Sequence, residues 1–346
     1  MCAQSSVDPK LTSLVWTVTN RCNLTCDYCS TSSGPKAEYG HDREEWRHVV
    51  DLVADADVKH VAISGGEPLT RDDLPELVAA IPDDVSFHID SNGILVREQW
   101  SDAFLDANHF SISLDGPAEI HNERRAGHDK VLSNIEWLLD KGLDVGSTIT
   151  IDDQNVEHLE TTIRQLAELG VTKLGVNKVG RFGRNMDGEY SLDEEYTEHV
   201  RECEELAKDL GMTVTVNGFY DSYFDLGASE SRTDSCYCGV YRANVRFDGS
   251  LLPCYALTTD AYYRELSDHY EIPNVNQFDD LSEVHDTELF TDFRRAVTGS
   301  PPRGCSGCEH ESYCDNGCRA VAWFHGLGLD GPNTHCSIAT RQAGIE

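Results

Sequence analysis

Three cysteines lie close together near the start of the chain. Cys22, Cys26 and Cys29 have the spacing C-x3-C-x2-C and directly follow an apolar run at residues 14–19. A cubane iron–sulfur cluster held by cysteines normally takes four thiolates, so a loop that offers three leaves one iron open to another ligand. The spacing therefore predicts a catalytic cluster. A zinc knuckle is the competing interpretation, but it needs a fourth Cys or His at knuckle spacing.

A glycine-rich turn follows the next apolar run. Residues 60–64 are predicted to form a buried strand that leads directly into Gly65, Gly66, Glu67 and Pro68. Such a turn has no side chains that block a ligand, and we expect it to expose backbone amides and the Glu67 carboxylate. A Gly-Gly turn alone is weak evidence. Its position one strand–helix unit after the three cysteines indicates a second part of the same site.

These two motifs, with Tyr28 before the third cysteine, resemble the radical S-adenosylmethionine (SAM) superfamily. The resemblance implies a [4Fe-4S] cluster on the three cysteines, whose open iron binds the amino and carboxylate groups of SAM. It also implies that the turn at 65–68 holds the SAM amino group, with Glu67 as the partner of the ammonium. An electron donor such as ferredoxin or flavodoxin would drive cleavage of SAM to a 5′-deoxyadenosyl radical, which takes a hydrogen atom from the substrate.

Two further segments are similar to the same family. The segment 111–116 resembles a fourth-strand motif, which implies that Ser113 and Asp115 lie near the ribose and methionine parts of SAM. The segment 121–126 resembles a His-Asp-x-x-Arg-Gly motif in which the arginine faces the SAM carboxylate, and this role is carried over to Arg125 alone.

Two departures from that motif limit what is carried over. Asn122 replaces an aspartate and Ala126 replaces a glycine. The alternative for Arg125 is a surface ion pair at a helix start, a contact that contributes little. The loop 179–184 is expected to cover either the adenine or the substrate.

The elements that must position these loops alternate along the chain. Apolar runs typical of strands are separated by amphipathic segments such as 42–56 and 130–141, which predict helices. Repeated strand–helix units favour an α/β fold with a parallel sheet, and each candidate loop follows a strand, where barrel enzymes place their chemistry. Periodicity does not distinguish a barrel from a doubly wound sheet; the resemblance implies a partial (β/α)6 TIM-like barrel. The six runs are 14–19, 60–64, 85–90, 109–114, 145–151 and 173–179.

A second set of cysteines lies in the last third of the chain. Its spacing resembles the SPASM domain, and eight thiolates are enough for two fully ligated auxiliary [4Fe-4S] clusters. A pair of structural zinc sites is the alternative. If Cys236 is not a ligand, one auxiliary cluster keeps an open iron, and the sequence does not decide this. The family assigns Cys236, Cys238, Cys254 and Cys318 to one cluster and Cys305, Cys308, Cys314 and Cys336 to the other.

The domain organisation follows from these motifs. Residues 1–185 are expected to form the radical SAM partial barrel, 186–235 a bridging helix and strand, and 236–346 the auxiliary-cluster domain. Within the last of these, 242–255 is predicted to be a hairpin that turns at Asp248-Gly249. Cys203, on a predicted helix at 193–210, is expected to be a buried small apolar residue.

The charge balance is unusual. The chain has 61 acidic and 28 basic residues and a net charge of −33, which destabilises a compact state in dilute buffer. At about 1 M salt the screening length falls to roughly 3 Å, so we interpret the charge as halophilic adaptation. An acidic surface for a basic partner would instead give a local charge block, whereas these acids are spread along the chain. Nucleic-acid binding is disfavoured because it needs a basic footprint.

The cellular setting follows from the cysteines and the apolar runs. Thirteen cysteines in a chain of 346 residues with no signal peptide indicate a reducing cytoplasm rather than disulfides. No apolar run approaches the length of a membrane span, so we expect no membrane partner.

Three hypotheses for the substrate remain open. The tail at 323–336 resembles mycofactocin-type peptide maturases, which favours oxidative modification of a ribosomally made peptide or protein. Few residues precede the first predicted strand, so a peptide would need a separate carrier protein. The barrel also resembles enzymes of alternative haem synthesis, which would make the substrate a tetrapyrrole. A non-catalytic iron–sulfur relay or sensor is the third hypothesis, although electron transfer alone does not need an open iron with Glu67.

Overall fold

A single nine-stranded sheet organises the molecule. The computed structural model describes residues 9–189, 191–192, 196–217, 238–302, 304–308, 317–332, 336 and 344. The strands are β1 (Ser13–Thr17), β2 (His60–Ser64), β3 (Ser86–Ser91), β4 (His109–Ser113), β5 (Val145–Ile151), β6 (Lys173–Lys178), β7 (Thr213–Asn217), β8 (Arg242–Val245) and β9 (Leu251–Leu252).

The order across the sheet is β7-β6-β5-β4-β3-β2-β1-β8-β9. All neighbours from β7 to β8 pair in parallel, and only the short β9 is antiparallel to β8. This is the open parallel sheet of a partial barrel, so the predicted fold class is confirmed.

Helices connect the parallel strands and cover the outer face of the sheet. The first of them shows how the sequence sets its bounds: Asp42 caps the amino end in a capping box with Glu45, and Trp46, Val49 and Val53 are buried on one face. The helices are α1 (Arg43–Asp55), α2 (Leu74–Ala79), α3 (Ala118–Arg124), α4 (His128–Asp140), α5 (Leu159–Leu169), α6 (Thr197–Asp209), α7 (Asp260–Ser267), α8 (Glu288–Thr298) and α9 (Arg319–Phe324).

The six predicted strands are all present within about two residues, a normal scatter for element ends. The sheet extends beyond these six strands at both edges, through the predicted bridging strand and the predicted hairpin. On one edge, β7 follows α6 and pairs with β6. On the other edge, β8 of the predicted hairpin pairs with β1, with Ser13 opposite Arg242. The hairpin turns at Gly249, whose φ of +82° suits glycine. It is therefore continuous with the barrel sheet.

The two faces of the sheet have opposite character. Outward side chains such as Leu14, Ile63 and Phe110 are buried against the helices. Inward positions of the same strands carry Ser, Thr, His and Asn side chains that line a cavity. A strand with one apolar and one polar face is typical of a sheet that encloses a wet interior. None of the described helices combines the length and the apolar character that a membrane crossing requires.

Candidate active site

One cavity of about 790 Å³ lies inside the barrel and reaches the carboxyl ends of its strands. It brings together most of the residues predicted from the sequence motifs, although they come from three different strand–loop junctions. Glu67, Pro68 and Asp115 lie behind its wall and are buried. The predicted residues that line the cavity are Cys22, Cys26, Tyr28, Cys29, Gly65, Gly66, Ser113 and Arg125.

The loop at 20–34, called the cysteine loop below, is fixed by contacts from other elements. Arg184 donates from Nε to the carbonyl oxygen of Cys26 at 2.7 Å and from Nη1 to that of Ser33 at 2.7 Å. Its backbone N–H donates to the carbonyl oxygen of Cys29 at 3.0 Å. The loop at 179–184 therefore covers the cysteine loop, and sequence analysis did not predict this role for Arg184.

The glycine turn packs directly on the same loop. A Cβ atom at Gly66 would lie 2.4 Å from the carbonyl oxygen of Arg21, and one at Gly65 would lie 2.5 Å from that of Thr19. The amides of Gly66 and Glu67 donate to these same two carbonyl oxygens at 2.8 and 2.9 Å. The glycines thus permit close backbone contact, and these two amides are not exposed to a ligand as the sequence suggested.

Glu67 is completely buried beneath the turn. Its carboxylate accepts hydrogen bonds from the backbone N–H of Leu69 and Asn92 and from the Ser91 hydroxyl, at 2.7 to 3.1 Å. Burial raises its pKa from the usual value to about 7. In this arrangement Glu67 joins the turn after β2 to the end of β3, and its carboxylate does not reach the cavity wall. Its predicted role toward the SAM ammonium stays a prediction.

Asp115 and Arg125 form a buried ion pair beside Tyr28. Nε of Arg125 lies 2.7 Å from Oδ2 of Asp115, which also accepts a hydrogen bond from the Tyr28 hydroxyl. Although burial alone would raise it, the guanidinium groups of Arg125 and Arg124 hold the pKa of Asp115 below its usual range. Arg125 is thus part of a buried network and not a surface pair, and it still lines the cavity.

Arg124 extends this network away from the cavity. Its Nη1 contacts both carboxylate oxygens of Asp152 at 2.8 and 2.7 Å, and its guanidinium carbon lies 4.4 Å from the centre of the Tyr28 ring. A charge over an aromatic face and a buried charged hydrogen bond both restrict geometry. The network therefore links Tyr28 in the cysteine loop to the ends of β4 and β5. Neither Arg124 nor Asp152 was singled out from the sequence.

The three thiols suit an iron–sulfur cluster in their chemistry. All three are free thiols at the wall of one cavity, and the backbone N–H of Leu24 donates to the Cys22 sulfur at 3.4 Å. Burial raises the pKa of Cys22 to about 12, so a thiolate there needs a nearby positive charge such as iron. In the described part of the chain no three His, Cys, Asp or Glu side chains gather around a point that could hold one metal ion.

The C-terminal cysteines are only partly within the described residues. Cys236 and Cys314 lie outside them. Burial and the thiols of Cys318 and Cys254 raise the pKa of Tyr262, so these two cysteines lie near the same ring although they are far apart in sequence. Tyr262 in turn stacks on Phe324 with ring centres 3.9 Å apart. Of the remaining described cysteines in this region, Cys305 is buried, and Cys238, Cys308 and Cys336 are partly buried.

The hairpin region reaches the cavity through Tyr255. This residue follows Cys254, lines the cavity and shares a hydrogen bond with the Ser30 side chain in the cysteine loop. Phe182 makes a second link, because it lines the cavity and contacts Tyr262 edge to face at 5.2 Å. No local sequence signal marks either contact, since each joins residues far apart in the chain.

Comparisons with known proteins agree with this geometry. The family model of the radical SAM superfamily matches residues 16–166, and that of the SPASM iron–sulfur cluster-binding domain matches residues 236–309. Mycofactocin maturase of Mycolicibacterium smegmatis is 28% identical over 93% of this chain and 82% of its own length. PqqA peptide cyclase of Granulibacter bethesdensis is 25% identical over 97% and 89%. The crystal structure of Streptococcus suis SuiB bound to its precursor peptide SuiA superposes with a TM-score of 0.73 at 16% identity, covering 95% of this chain and 76% of that one.

Proposed function

The chain is an enzyme of the radical SAM superfamily with a C-terminal SPASM domain, and we propose that it oxidatively modifies a ribosomally made peptide. The observation that supports this most directly is the shared cavity, which the three cysteines, the glycine turn and Arg125 line together with the polar barrel interior. Relatives over nearly the whole chain are named for peptide maturation and peptide cyclisation. We propose the same class of substrate here.

At the cofactor end, we assign Cys22, Cys26 and Cys29 to the [4Fe-4S] cluster. When bound, SAM and the cluster supply a 5′-deoxyadenosyl radical. The chain's own residues hold this end together: Arg184 fixes the carbonyls of the cysteine loop, and the glycine turn packs beneath it. Arg125 offers a guanidinium to the SAM carboxylate, with Asp115 holding its orientation. Ser113 lies on the same wall and offers a hydroxyl.

At the other end, the auxiliary cysteines would hold two further [4Fe-4S] clusters with the ligand sets that the family implies. Cys254 and Cys318 belong to the same set, and both lie near Tyr262. We propose that these clusters accept the second electron of an oxidation. Tyr255 lines the cavity and follows Cys254, so the segment that carries this auxiliary ligand also borders the substrate space.

The partners and the setting complete the proposal. We propose a ferredoxin or flavodoxin as electron donor, a separate carrier protein for the peptide, and a salt-rich cytoplasm as the compartment. The net charge of −33 supports the last point, since it requires screening. The domain boundaries that we propose are 1–185, 186–235 and 236–346, with the hairpin of the third domain paired to the barrel sheet.

Anaerobic turnover tests the substrate class. Reconstituted enzyme with reductant and SAM is offered, in one tube, the short peptide encoded beside its gene and, in another, decarboxylated sirohaem or iron coproporphyrin. We expect deoxyadenosine release coupled to a mass loss in the peptide. Release coupled only to a change in the porphyrin would refute the peptide proposal and favour a tetrapyrrole-tailoring enzyme. Absence of deoxyadenosine in every tube would refute radical catalysis itself.

A further inference from the structure

Three histidine rings form a ladder inside the barrel. His60 on β2, His88 on β3 and His109 on β4 follow one another with ring centres 4.8 and 4.5 Å apart and neighbouring planes within 18° of parallel. His60, His88 and the adjacent Asp90 line the same cavity as the three cysteines. None of them belongs to a motif used above. Two imidazoles and a carboxylate at this wall offer groups that can bind or release a proton.

The ladder lies below the cofactor end of the cavity. His88 is level with Ala62 in the sheet, because the parallel pairing of β2 and β3 places Ala62 opposite His88. Ala62 precedes Gly65 by three residues, which places His88 roughly 10 Å further down the barrel at ~3.3 Å per residue. A substrate in the polar lower cavity would therefore lie between the cysteine loop and the histidines.

The hydrogen bonds fix the tautomer of His60. The single hydroxyl hydrogen of Ser86 donates to the carbonyl oxygen of Lys59 at 2.8 Å. When the hydroxyl hydrogen points to Lys59, Ser86 Oγ, 2.8 Å from Nδ1 of His60, accepts a hydrogen bond from that nitrogen. Burial lowers the pKa of His60 to about 4, so the ring is neutral at pH 7 and has no second N–H. Its Nε2 is consequently an acceptor.

The same reasoning passes to His88. Nε2 of His60 and Nδ1 of His88 are 2.6 Å apart, so Nδ1 of His88 must donate the hydrogen. A neutral His88 then has no hydrogen on Nε2. That nitrogen lies 3.6 Å from Oδ1 of Asp90, a carboxylate that becomes an ion-pair partner once Nε2 is protonated. The ladder is thus arranged to take up one proton at one defined atom.

We propose that His88 is the base that accepts a proton from the substrate during its oxidation. This rests on the proposed function. A two-electron oxidation that starts at a C–H bond removes two electrons and two protons. One proton and one electron leave together as the hydrogen atom taken by the SAM-derived radical, and an auxiliary iron–sulfur cluster takes the other electron. The remaining proton goes to Nε2 of His88, where Asp90 stabilises the imidazolium.

His60 acts on His88 without touching the substrate in this proposal. It is a positioning residue, because its acceptor nitrogen selects the tautomer whose Nε2 carries no hydrogen. The other charged groups that face the ladder are Arg242 and Asp90 toward His60, and Lys173, Asp144 and Asp90 toward His109. Burial and His88 lower the pKa of His109 to about 4, so it adds a neutral ring.

Substitutions test the proposal in the holoenzyme, with the neighbouring-gene peptide as substrate. In His88→Gln we expect deoxyadenosine release to continue while peptide product falls by about 100-fold, the lower end of what a general base contributes. His109→Gln is the matched control, since His109 stacks on His88 from the other side and does not line the cavity. An unchanged ratio of product to deoxyadenosine in His88→Gln would overturn the proposal.

The pH profile separates a base from a structural role. Asp90→Asn removes the charge beside Nε2, so we expect the acidic limb of the product-formation profile to move to lower pH. A limb that does not move would contradict the assignment of Asp90. His60→Phe keeps an aromatic ring but removes the Nε2 atom that accepts from His88. We expect this variant to lower product formation without lowering deoxyadenosine release.

A spectroscopic readout needs no turnover. The ring-nitrogen shifts of 15N-histidine-labelled holoenzyme distinguish the two neutral tautomers, and His→Gln variants assign the signals. We expect His60 and His88 both to carry hydrogen on Nδ1 at pH 7. Hydrogen on Nε2 of His88 would overturn the proposal even if the peptide is the right substrate. If the peptide is the wrong substrate, this result still tests the ladder by itself.

Discussion

The two cysteine-bearing regions of this chain are built in different ways. In the cysteine loop, backbone carbonyls are held by donors from distant elements, such as Glu67 N–H on Arg21 and the Arg184 side chain on Cys26 and Ser33. In the C-terminal region, the backbone N–H groups of Cys305 and Cys308 donate to the carbonyl oxygens of Pro302 and Cys305, three residues earlier in each case. Donors from distant elements therefore hold the cysteine loop, and the described segment 304–308 contains short local turns.

This difference bears on what each cluster does for the protein. A loop that the polypeptide already holds in place can exchange its cofactor without losing its shape, which suits a catalytic site. Cysteines on short turns gain most of their order from the metal, because binding free energy then becomes folding free energy. We therefore expect the first cluster to matter for reactivity and the auxiliary clusters to matter for both reactivity and local stability.

The largest expected effect comes from removing the ligands of each region in turn. With three cubanes per chain, we expect about twelve irons, and about eight after Cys22, Cys26 and Cys29 are replaced by Ala. That variant should lose reductive SAM cleavage completely. Cys305→Ala with Cys308→Ala should retain some SAM cleavage that is uncoupled from product. Iron analysis and deoxyadenosine assays measure both, and zinc at the C-terminal cysteines of anaerobically reconstituted protein would refute the auxiliary-cluster assignment.

Metal removal should separate the regions by stability. After anaerobic chelation of iron, we expect hydrogen exchange to accelerate strongly around 304–308 and 317–332, while amides of β1 to β5 keep most of their protection. The reason is that the barrel strands are paired on both sides and buried, independently of any cluster. Equal loss of protection in both regions would show that the barrel also depends on iron.

The sequence predicted the elements that carry the site much better than their contacts. Strand positions and the order of the loops follow from apolar runs and turn residues, and these local signals place Cys22, Gly65 and Arg125 on one edge of the sheet. The packing role of the glycines was not predicted. They allow two loops to touch, and a contact between residues 21 and 66 has no signature in either segment.

Other parts of the site could not be predicted, because they depend on contacts between distant segments. Arg184 reaches the cysteine loop across 151 to 158 residues of sequence. The tautomer of His88 depends on Ser86 and Lys59 through His60, a chain of bonds that requires three-dimensional positions. The burial of Glu67 against Ser91 and Asn92 at the end of β3 was likewise not predictable from the sequence, and its role toward the SAM ammonium stays a prediction.

Salt should act more strongly on the C-terminal part. Residues before 186 include 31 acidic and 17 basic side chains, and the shorter remainder includes 30 and 11. We expect the thermal midpoint to rise between about 0.1 and 3 M KCl, where screening changes several-fold, and protection in the C-terminal region to rise first. Equimolar changes in sucrose serve as a control for general solvent exclusion. A midpoint that does not rise with salt would refute the halophilic interpretation.

The smallest expected effect is an acid sensitivity that belongs to the barrel. Burial is the main cause that lowers the pKa of His60, His109 and His121 from the usual 6.5 to about 4. Between these values the three histidines bind nearly three more protons in the unfolded chain, whereas Glu67, whose pKa burial raises to about 7, binds about one more in the folded chain. The unfolded chain therefore binds about two more protons in total, so the free energy of unfolding should fall as pH decreases from about 6.5 to about 4. Denaturant titrations between pH 6 and pH 5 measure the slope before most carboxylates titrate. His109→Gln should reduce that slope by about one proton, because it removes one of the three groups without removing a residue of the cavity wall. If the slope in this variant equals that of the wild type, the acid sensitivity does not come from the histidine ladder. The comparison would then give no reason to place acid sensitivity in the barrel rather than in the C-terminal region.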